Sequence, residues 1–454
     1  MTEQLALWRA PAAPPAGAFR PIQYLGSKAR LLGAIECAVD AVDPSHGPAL
    51  DLFSGSGVVA AHLARSRDVT AADVQEYARV LASALMAPAR FGGGEIERLA
   101  AAAAASAAAL GAGGLRALLE RERAAVDALA ASDAEPLCEI VERGSPAAFA
   151  LGEGPRAGAL AEALDRASAA VASSALPLTV TRYYGGVYFA YAQALELDAL
   201  LGVVRALPPG PPRDTALAAV LGAASECVTS VGSHFAQPIR PRDASGRPKG
   251  GSLAQLARRR QRRVRDVFAE RLRRYADAPG AAHAARAVRG DYRDVLAEPG
   301  APVGAVYADP PYTRDHYSRF YHALETMARG DEPEISTVTI GGVTSLSRGL
   351  YRRERHQSPF CIRTEAPRAF RSLFAGVRAL GAPLVLSYSP YASGTPARPQ
   401  PRLLTIAEIA DLARASFAAV EVRSAGRRAH SKFNAERLNG SAPEAAELLL
   451  LCVP

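Results

Sequence analysis

Asp309-Pro310-Pro311-Tyr312 is the tetrapeptide in this chain whose residue types are best suited to chemistry. It follows the apolar run 303–308, which reads as a buried strand. The motif therefore falls at a strand's carboxyl end, where open α/β sheets bind ligands. Two consecutive prolines hold the backbone extended and remove two amide donors. What remains is a carboxylate, a free carbonyl and an aromatic ring side by side. Such a group suits a planar base with an exocyclic amine: the amine donates to Asp309 and the Pro310 carbonyl, and the ring stacks on Tyr312. Taken alone, the tetrapeptide also reads as a rigid strand-to-loop turn.

A second motif upstream favours the chemical reading. Residues 48–57, Pro-Ala-Leu-Asp-Leu-Phe-Ser-Gly-Ser-Gly, read as a strand entering a glycine-rich turn, with a helix after it. Gly55 and Gly57 would let the backbone pass close under a ligand. Residues 68–73 form a second short strand ending in Asp73, the position from which an acid accepts hydrogen bonds from ribose hydroxyls. The Gly-Lys-Ser/Thr of a phosphate loop is missing and the dinucleotide fingerprint is incomplete. A nucleoside cofactor without a pyrophosphate fits what is left. S-adenosylmethionine is one such cofactor, and its sulfonium would bring a methyl group to the sheet edge that carries Asp309. Further upstream, Gly26-Ser27-Lys28 precedes a helical pattern and offers amides and an ammonium group to a carboxylate.

The elements that must position these groups form an interrupted α/β alternation. Two strands precede residue 90. Five more follow residue 285, around 287–292, 303–308, 384–388, 419–422 and 447–453, with the last two expected to pair antiparallel. The fold class is thus a doubly wound, seven-stranded Rossmann-like sheet with a large, mainly helical insertion. The expected boundaries are a flexible tail at 1–19, the first catalytic part at 20–89, the insertion or target recognition region at 90–285, and the second catalytic part at 286–454. Within the insertion, the aromatics of 183–191 could stack on a base or wedge a duplex, but read more readily as packing between insertion and core. A strongly basic helix carries Arg258, Arg259, Arg260, Arg262, Arg263 and Arg265, while Leu253, Leu256, Val264 and Phe268 keep helical spacing. A patch of one sign favours phosphate contact, so Arg258, Arg259, Arg262 and Arg263 are candidate DNA-binding residues. Polar clusters at 352–358 and 427–432 read as further phosphate contacts.

At 454 residues and 49% hydrophobic content the chain can bury a substantial core. Its formal net charge of +8 permits an anionic partner. Five scattered cysteines without a Cys-x-x-Cys pair argue against a disulfide framework and a zinc site. His322 and Glu325 lie one helical turn apart without a third partner, so no metal is expected. No stretch makes a membrane span and no signal peptide is evident, which places the chain in the cytoplasm with no membrane partner.

With both motifs in place, the chain resembles the Dam-type, alpha-group DNA adenine-N6 methyltransferases. The resemblance rests on the order Tyr24 and Lys28, Phe53-Ser54-Gly55-Ser56-Gly57, Asp73, a recognition region, then Asp309 to Tyr312. It implies methyl transfer from S-adenosylmethionine to adenine N6 in double-stranded DNA. Asp309, Pro310 and Tyr312 would be catalytic; Tyr24, Lys28, Phe53, Gly55, Gly57, Asp73 and Asp291 would hold the cofactor, Asp291 at its adenine. The expected setting is restriction-modification or phage defence, which leaves room for a cognate restriction enzyme or defence-system proteins as partners. Cytosine-N4 methylation, and a non-catalytic DNA-binding protein on the same scaffold, are the alternatives.

Overall fold

Parallel strands covered on both faces need continuous apolar runs, and the central strands of this chain have them. The computed structural model describes residues 19–313, 316–389, 402–425 and 447–454, and the backbone of 393–395 and 398–400. Its strands are β1 (Ala49–Leu52), β2 (Val69–Asp73), β3 (Ala285–Arg289), β4 (Ala305–Ala308), β5 (Thr337–Ile340), β6 (Val343–Leu346), β7 (Leu384–Tyr388), β8 (Ser393–Thr395), β9 (Arg398–Gln400), β10 (Ala419–Ser424) and β11 (Leu448–Val453). Seven of them form one sheet in the order β10-β11-β7-β4-β1-β2-β3. From β7 to β3 all neighbours are parallel. The expected antiparallel pairing of the last two strands is present, and β11 also runs antiparallel to β7.

Side chains alternate between the faces of this sheet with period two. Leu50, Leu52, Val306, Ala308, Leu384 and Leu386 face the helix Ala366–Ala379 through Phe370, Leu373 and Phe374. Ala49, Ala305, Tyr307 and Val385 share the other core with the helices Leu32–Val42 and Val58–Leu63. The chain leaves β1 toward β2 and β3, then returns to β4 on β1's opposite side. The β1/β4 junction is therefore a topological switch point, where a crevice opens beyond the carboxyl ends of the strands.

Between β2 and β3 the chain is helical, from Glu76–Met86 to Val264–Ala276. Glu76–Met86 joins the two parts. Its Ala82 and Met86 belong to the sheet's core, while Tyr77, Val80, Leu81 and Ala84 pack with the helix Pro211–Cys227. Asp214 locks the contact by accepting both terminal nitrogens of Arg79 at 2.8 Å and Ser83 Oγ at 2.7 Å. Tyr184, Tyr188, Phe189 and Tyr191 are fully buried, in keeping with a packing role.

Two local details differ from the sequence pattern. The stripe after Asp309 is two short helices, Tyr317–Phe320 and His322–Arg329, broken at Tyr321. Tyr321 stacks on Tyr24 at 5.1 Å and 8°, and its hydroxyl accepts the Leu25 amide at 2.7 Å, so tertiary contacts set that break. Phe19, at the end of the expected tail, packs edge-on against Tyr275. Among the described residues no single helix is long and apolar enough to cross a membrane; only Glu95–Ala112 with Arg116–Ala130, bent by 92°, meets the requirement as a pair.

Candidate active site

The turn after β1 is built from left-handed residues: Phe53 at φ +64°, Gly55 at +54° and Gly57 at +76°. A bulky residue at positive φ is strained and must be held by its surroundings. Phe53 is held by Tyr292 and Phe360, whose rings lie 5.5 Å and 5.4 Å away. Gly55 lines the crevice, and a Cβ there would stand 2.4 Å from Tyr24 Oη. Gly57 does not line it; a Cβ there would meet Ala82 Cα at 2.6 Å. This glycine admits the helix Glu76–Met86, which corrects the expectation that it lies under a ligand.

Asp73, at the end of β2, fixes the turn. Its Oδ2 accepts the Gly55 amide and its Oδ1 the Gln75 amide, both at 2.9 Å. Burial pushes its carboxyl up to about 6, with the backbone amides pulling the other way. Beyond β3, Asp291 caps the helix Tyr292–Ala297 and pairs with Arg293 Nε at 2.8 Å. Burial would raise the Asp291 carboxyl, but the Arg293 guanidinium and amide hold it below its ordinary value. Phe53, Tyr292 and Phe360 form a ring cluster at this end of the crevice.

At the β1/β4 junction the crevice carries a buried charge cluster. Lys28 Nζ lies 2.8 Å from Asp309 Oδ2 and 3.3 Å from Glu447 Oε1. Ser387 Oγ donates to the same Glu447 oxygen at 2.7 Å. Burial works against the Lys28 ammonium, yet Asp309 and then Glu447 outweigh it and raise its pKa well above the usual range. Lys28 was expected to seat a carboxylate, and here it has two from the protein itself. Asp51, 1% exposed, points both carboxylate oxygens into the crevice wall with no hydrogen-bond partner. Burial, then the charge of Asp309, pushes its carboxyl well up; the Ala60 amide pulls back without reaching hydrogen-bond geometry. Tyr312 stands beside this cluster, its ring 4.8 Å from Tyr388 and 4.8 Å from the Arg402 guanidinium carbon.

One crevice therefore collects Tyr24, Lys28, Phe53, Gly55, Asp73, Asp291, Asp309, Pro310 and Tyr312. Sequence reasoning missed Asp51, Glu447 and Arg402. Asp51 had a signal, being an acid inside an apolar strand. Glu447 had a weaker one, at the head of a leucine run. His356 and Ser358, read as phosphate contacts, line the crevice instead. The cluster at 427–432 lies outside the described residues.

A family model described as D12 class N6 adenine-specific DNA methyltransferase matches residues 24–107 and 245–376. The chain belongs to that family. This methyltransferase acts on adenine in DNA, which sets aside the cytosine-N4 and non-catalytic alternatives. The two matched stretches carry every expected crevice residue. They omit 108–244, within the helical segment, and stop before Arg402 and Glu447. No curated protein and no solved structure matches the chain.

The basic helix is divided by the structure. It is two helices, Gly250–Arg260 and Val264–Ala276. Arg260 is buried and bonds Glu122 Oε1 at 2.7 Å and the Gly186 carbonyl at 2.6 Å, so it is a packing residue. Arg262 pairs with Glu226 at 2.5 Å. Arg258 and Arg263 are exposed and Arg259 half-buried, and none of these three makes an ion pair among the described residues. All four DNA candidates lie outside the crevice lining. His322 is buried, its Nε2 3.1 Å from the Phe235 carbonyl, and burial drops its pKa to about 3. Glu325 accepts the Tyr77 amide. No cluster of three potential metal ligands occurs among the described residues.

Proposed function

We propose that this methyltransferase is of the Dam type, uses S-adenosylmethionine, and modifies adenine N6 at specific sites in double-stranded DNA. The observation that carries the reading is that the Gly55–Asp73 turn and the Asp309 motif open into one crevice, joined by Lys28. The crevice fits a cationic cofactor. Asp51, Asp73 and Asp309 line it with a single lysine, Lys28, which Asp309 and Glu447 already pair, and the unpartnered Asp51 oxygens match the ammonium of an amino-acid moiety. Asp73 suits ribose hydroxyls, and the Phe53–Tyr292–Phe360 cluster suits a purine face. When bound, the cofactor supplies an electrophilic methyl group on a sulfonium.

The residues of the chain do the rest. The amine of adenine is a poor nucleophile because its lone pair is delocalised into the ring. Asp309 and the Pro310 carbonyl accept its two hydrogens, which draws the nitrogen toward tetrahedral geometry and localises the pair. Tyr312 stacks on the base once it has left the helix and fixes its line of approach. Glu447 shares the Lys28 ammonium with Asp309, so the lysine does not monopolise that acceptor. The segment 90–285 serves as the target recognition region between catalytic parts at 20–89 and 286–454, with Arg258, Arg259 and Arg263 on DNA phosphates. The setting is the cytoplasm, in restriction-modification or phage defence beside a cognate restriction enzyme or other defence proteins.

The test is methyl transfer from labelled S-adenosylmethionine to unmethylated genomic duplex DNA, followed by digestion to nucleosides. Label in N6-methyl-2′-deoxyadenosine is expected, together with its loss in Asp309→Asn while calorimetry still registers cofactor binding. Label confined to RNA added in competition, or full activity in Asp309→Asn, would overturn the proposal.

A further inference from the structure

A surface β-hairpin is normally protected from unwanted pairing by charge, commonly lysine on its strands. The β5–β6 hairpin has no such protection. Residues 335–347 contain no charged side chain, in a chain that is 22% charged. Ile340 is 75% exposed and Val343 70%, with Val338 at 44% behind them. The register pairs Ile340 with Val343 and Val338 with Ser345, so the three apolar side chains share one face. Gly341 and Gly342, both at positive φ, make the turn tight enough to bring Ile340 and Val343 together at the tip.

The base of this prong is anchored firmly. Ser336 Oγ bonds Ser347 Oγ at 2.9 Å, the Ser336 amide donates to the Tyr351 carbonyl, and Leu346 donates to Glu153 Oε1 at 2.6 Å. The chain leaving the prong runs directly into the crevice, which it lines with His356, Ser358 and Phe360. Along the way it brings Arg348 beside Arg240 and Arg355 beside Arg319. Burial first, then the charge of Arg240 for Arg348 and of Arg319 for Arg355, lowers the pKa of these two arginines, with Glu142 pulling the other way at Arg348. None of the four forms an ion pair among the described residues, and Arg319 and Arg355 both lie over the Tyr351 ring, at 5.1 Å and 5.7 Å. Guanidinium groups that repel one another in this way are relieved by a polyanion.

We infer that the β5–β6 hairpin is a duplex-inserting prong, its Ile340–Val343 tip entering the base stack beside the target adenine while the arginines at its root hold the flanking phosphates. The inference rests on adenine leaving the helix for the crevice, as proposed above. An extruded base leaves a gap that water fills poorly and an aliphatic wedge fills well. The occupant is DNA because the uncharged tip and two arginines without an ion pair among the described residues, Arg348 and Arg355, occur on one segment that ends in the crevice of a DNA methyltransferase.

The experiment uses the full chain and two synthetic duplexes that differ only by one A·A mismatch, at which unstacking is easier. Binding is measured by fluorescence anisotropy without cofactor, so the result is independent of whether methyl transfer is observed. The wild-type chain is expected to prefer the mismatched duplex by roughly tenfold or more, an energy well within that of unstacking one step. Ile340→Ser with Val343→Ser is expected to erase the preference while leaving the salt dependence of binding unchanged. In Trp8→Phe, Ile340→Trp is expected to show indole fluorescence quenched by duplex DNA. A preference retained by the double serine variant, or an unquenched indole, overturns the inference. A change from dimer to monomer in the serine variant overturns it as well, by making the hairpin an interface between copies.

Discussion

Gly57→Ala separates the two jobs that glycines do in the turn after β1. At φ +76° an alanine pays the left-handed penalty of about 1–2 kcal/mol. Its Cβ would also stand 2.6 Å from Ala82 Cα and 2.9 Å from Ala82 Cβ, which is backbone in a packed helix and not a side-chain tip that can swing away. Separating the helices Val58–Leu63 and Glu76–Met86 adds an overpacking cost of about 1–3 kcal/mol, for a total loss of about 2–5 kcal/mol. Gly55→Ala meets a different obstacle. Its Cβ would be 2.4 Å from Tyr24 Oη, the far end of a side chain, so Tyr24 yields and the crevice wall moves. Denaturant unfolding of the two variants, with calorimetric titration of S-adenosylmethionine in the cold, measures both effects. Gly57→Ala is expected to lose stability and keep cofactor affinity within about twofold; Gly55→Ala should lose only about 1–2 kcal/mol of stability but roughly tenfold or more in affinity. A Gly57→Ala protein of unchanged stability, or one that binds cofactor as weakly as Gly55→Ala, would refute the assignment.

Removing the cation with Lys28→Met leaves Asp309 and Glu447 as like charges without a counter-ion, which favours a proton on one of them. Methylation is expected to fall sharply at neutral pH and to recover in part as pH rises; a loss independent of pH would count against the pairing. Asp73, raised to about 6 from 3.8, keeps its proton in the folded state over a window where the unfolded chain has lost it. Its contribution to stability therefore declines as pH rises through that window, whereas cofactor affinity, which needs the carboxylate, should weaken as pH falls through about 6. Asp73→Asn should flatten that affinity profile. Arg260→Ala strands Glu122 in the interior and should cost about 3–5 kcal/mol in unfolding experiments. Arg258→Ala with Arg263→Ala should leave stability intact and reduce the salt slope of DNA binding by about two; an unchanged slope would move the phosphate contacts elsewhere.

Features encoded by neighbouring residues were legible in the sequence. Continuous apolar runs marked the strands of the main sheet, so all seven of them and the helical interruption between the second and third were readable, whereas the β5–β6 and β8–β9 pairs were not. The Asp-Pro-Pro-Tyr and Phe-x-Gly-x-Gly motifs were readable for the same reason, since strand, turn and functional residue are contiguous in each. Tertiary structure decided which groups meet across the chain. Charge is a property of a residue, but burial and partnership are properties of its position in space: Arg260 and Arg258 look alike in sequence, yet one is locked to Glu122 and the other faces solvent. Lys28 and Glu447 come from opposite ends of the chain and meet because β11 inserts antiparallel next to β7, within reach of the switch point. The two motif glycines are identical in type, and only the approach of Tyr24 to one and Ala82 to the other gives them different tasks. Local pattern fixes the elements because backbone hydrogen bonding and side-chain period are short-range; pairing at the site depends on the path the chain takes between them.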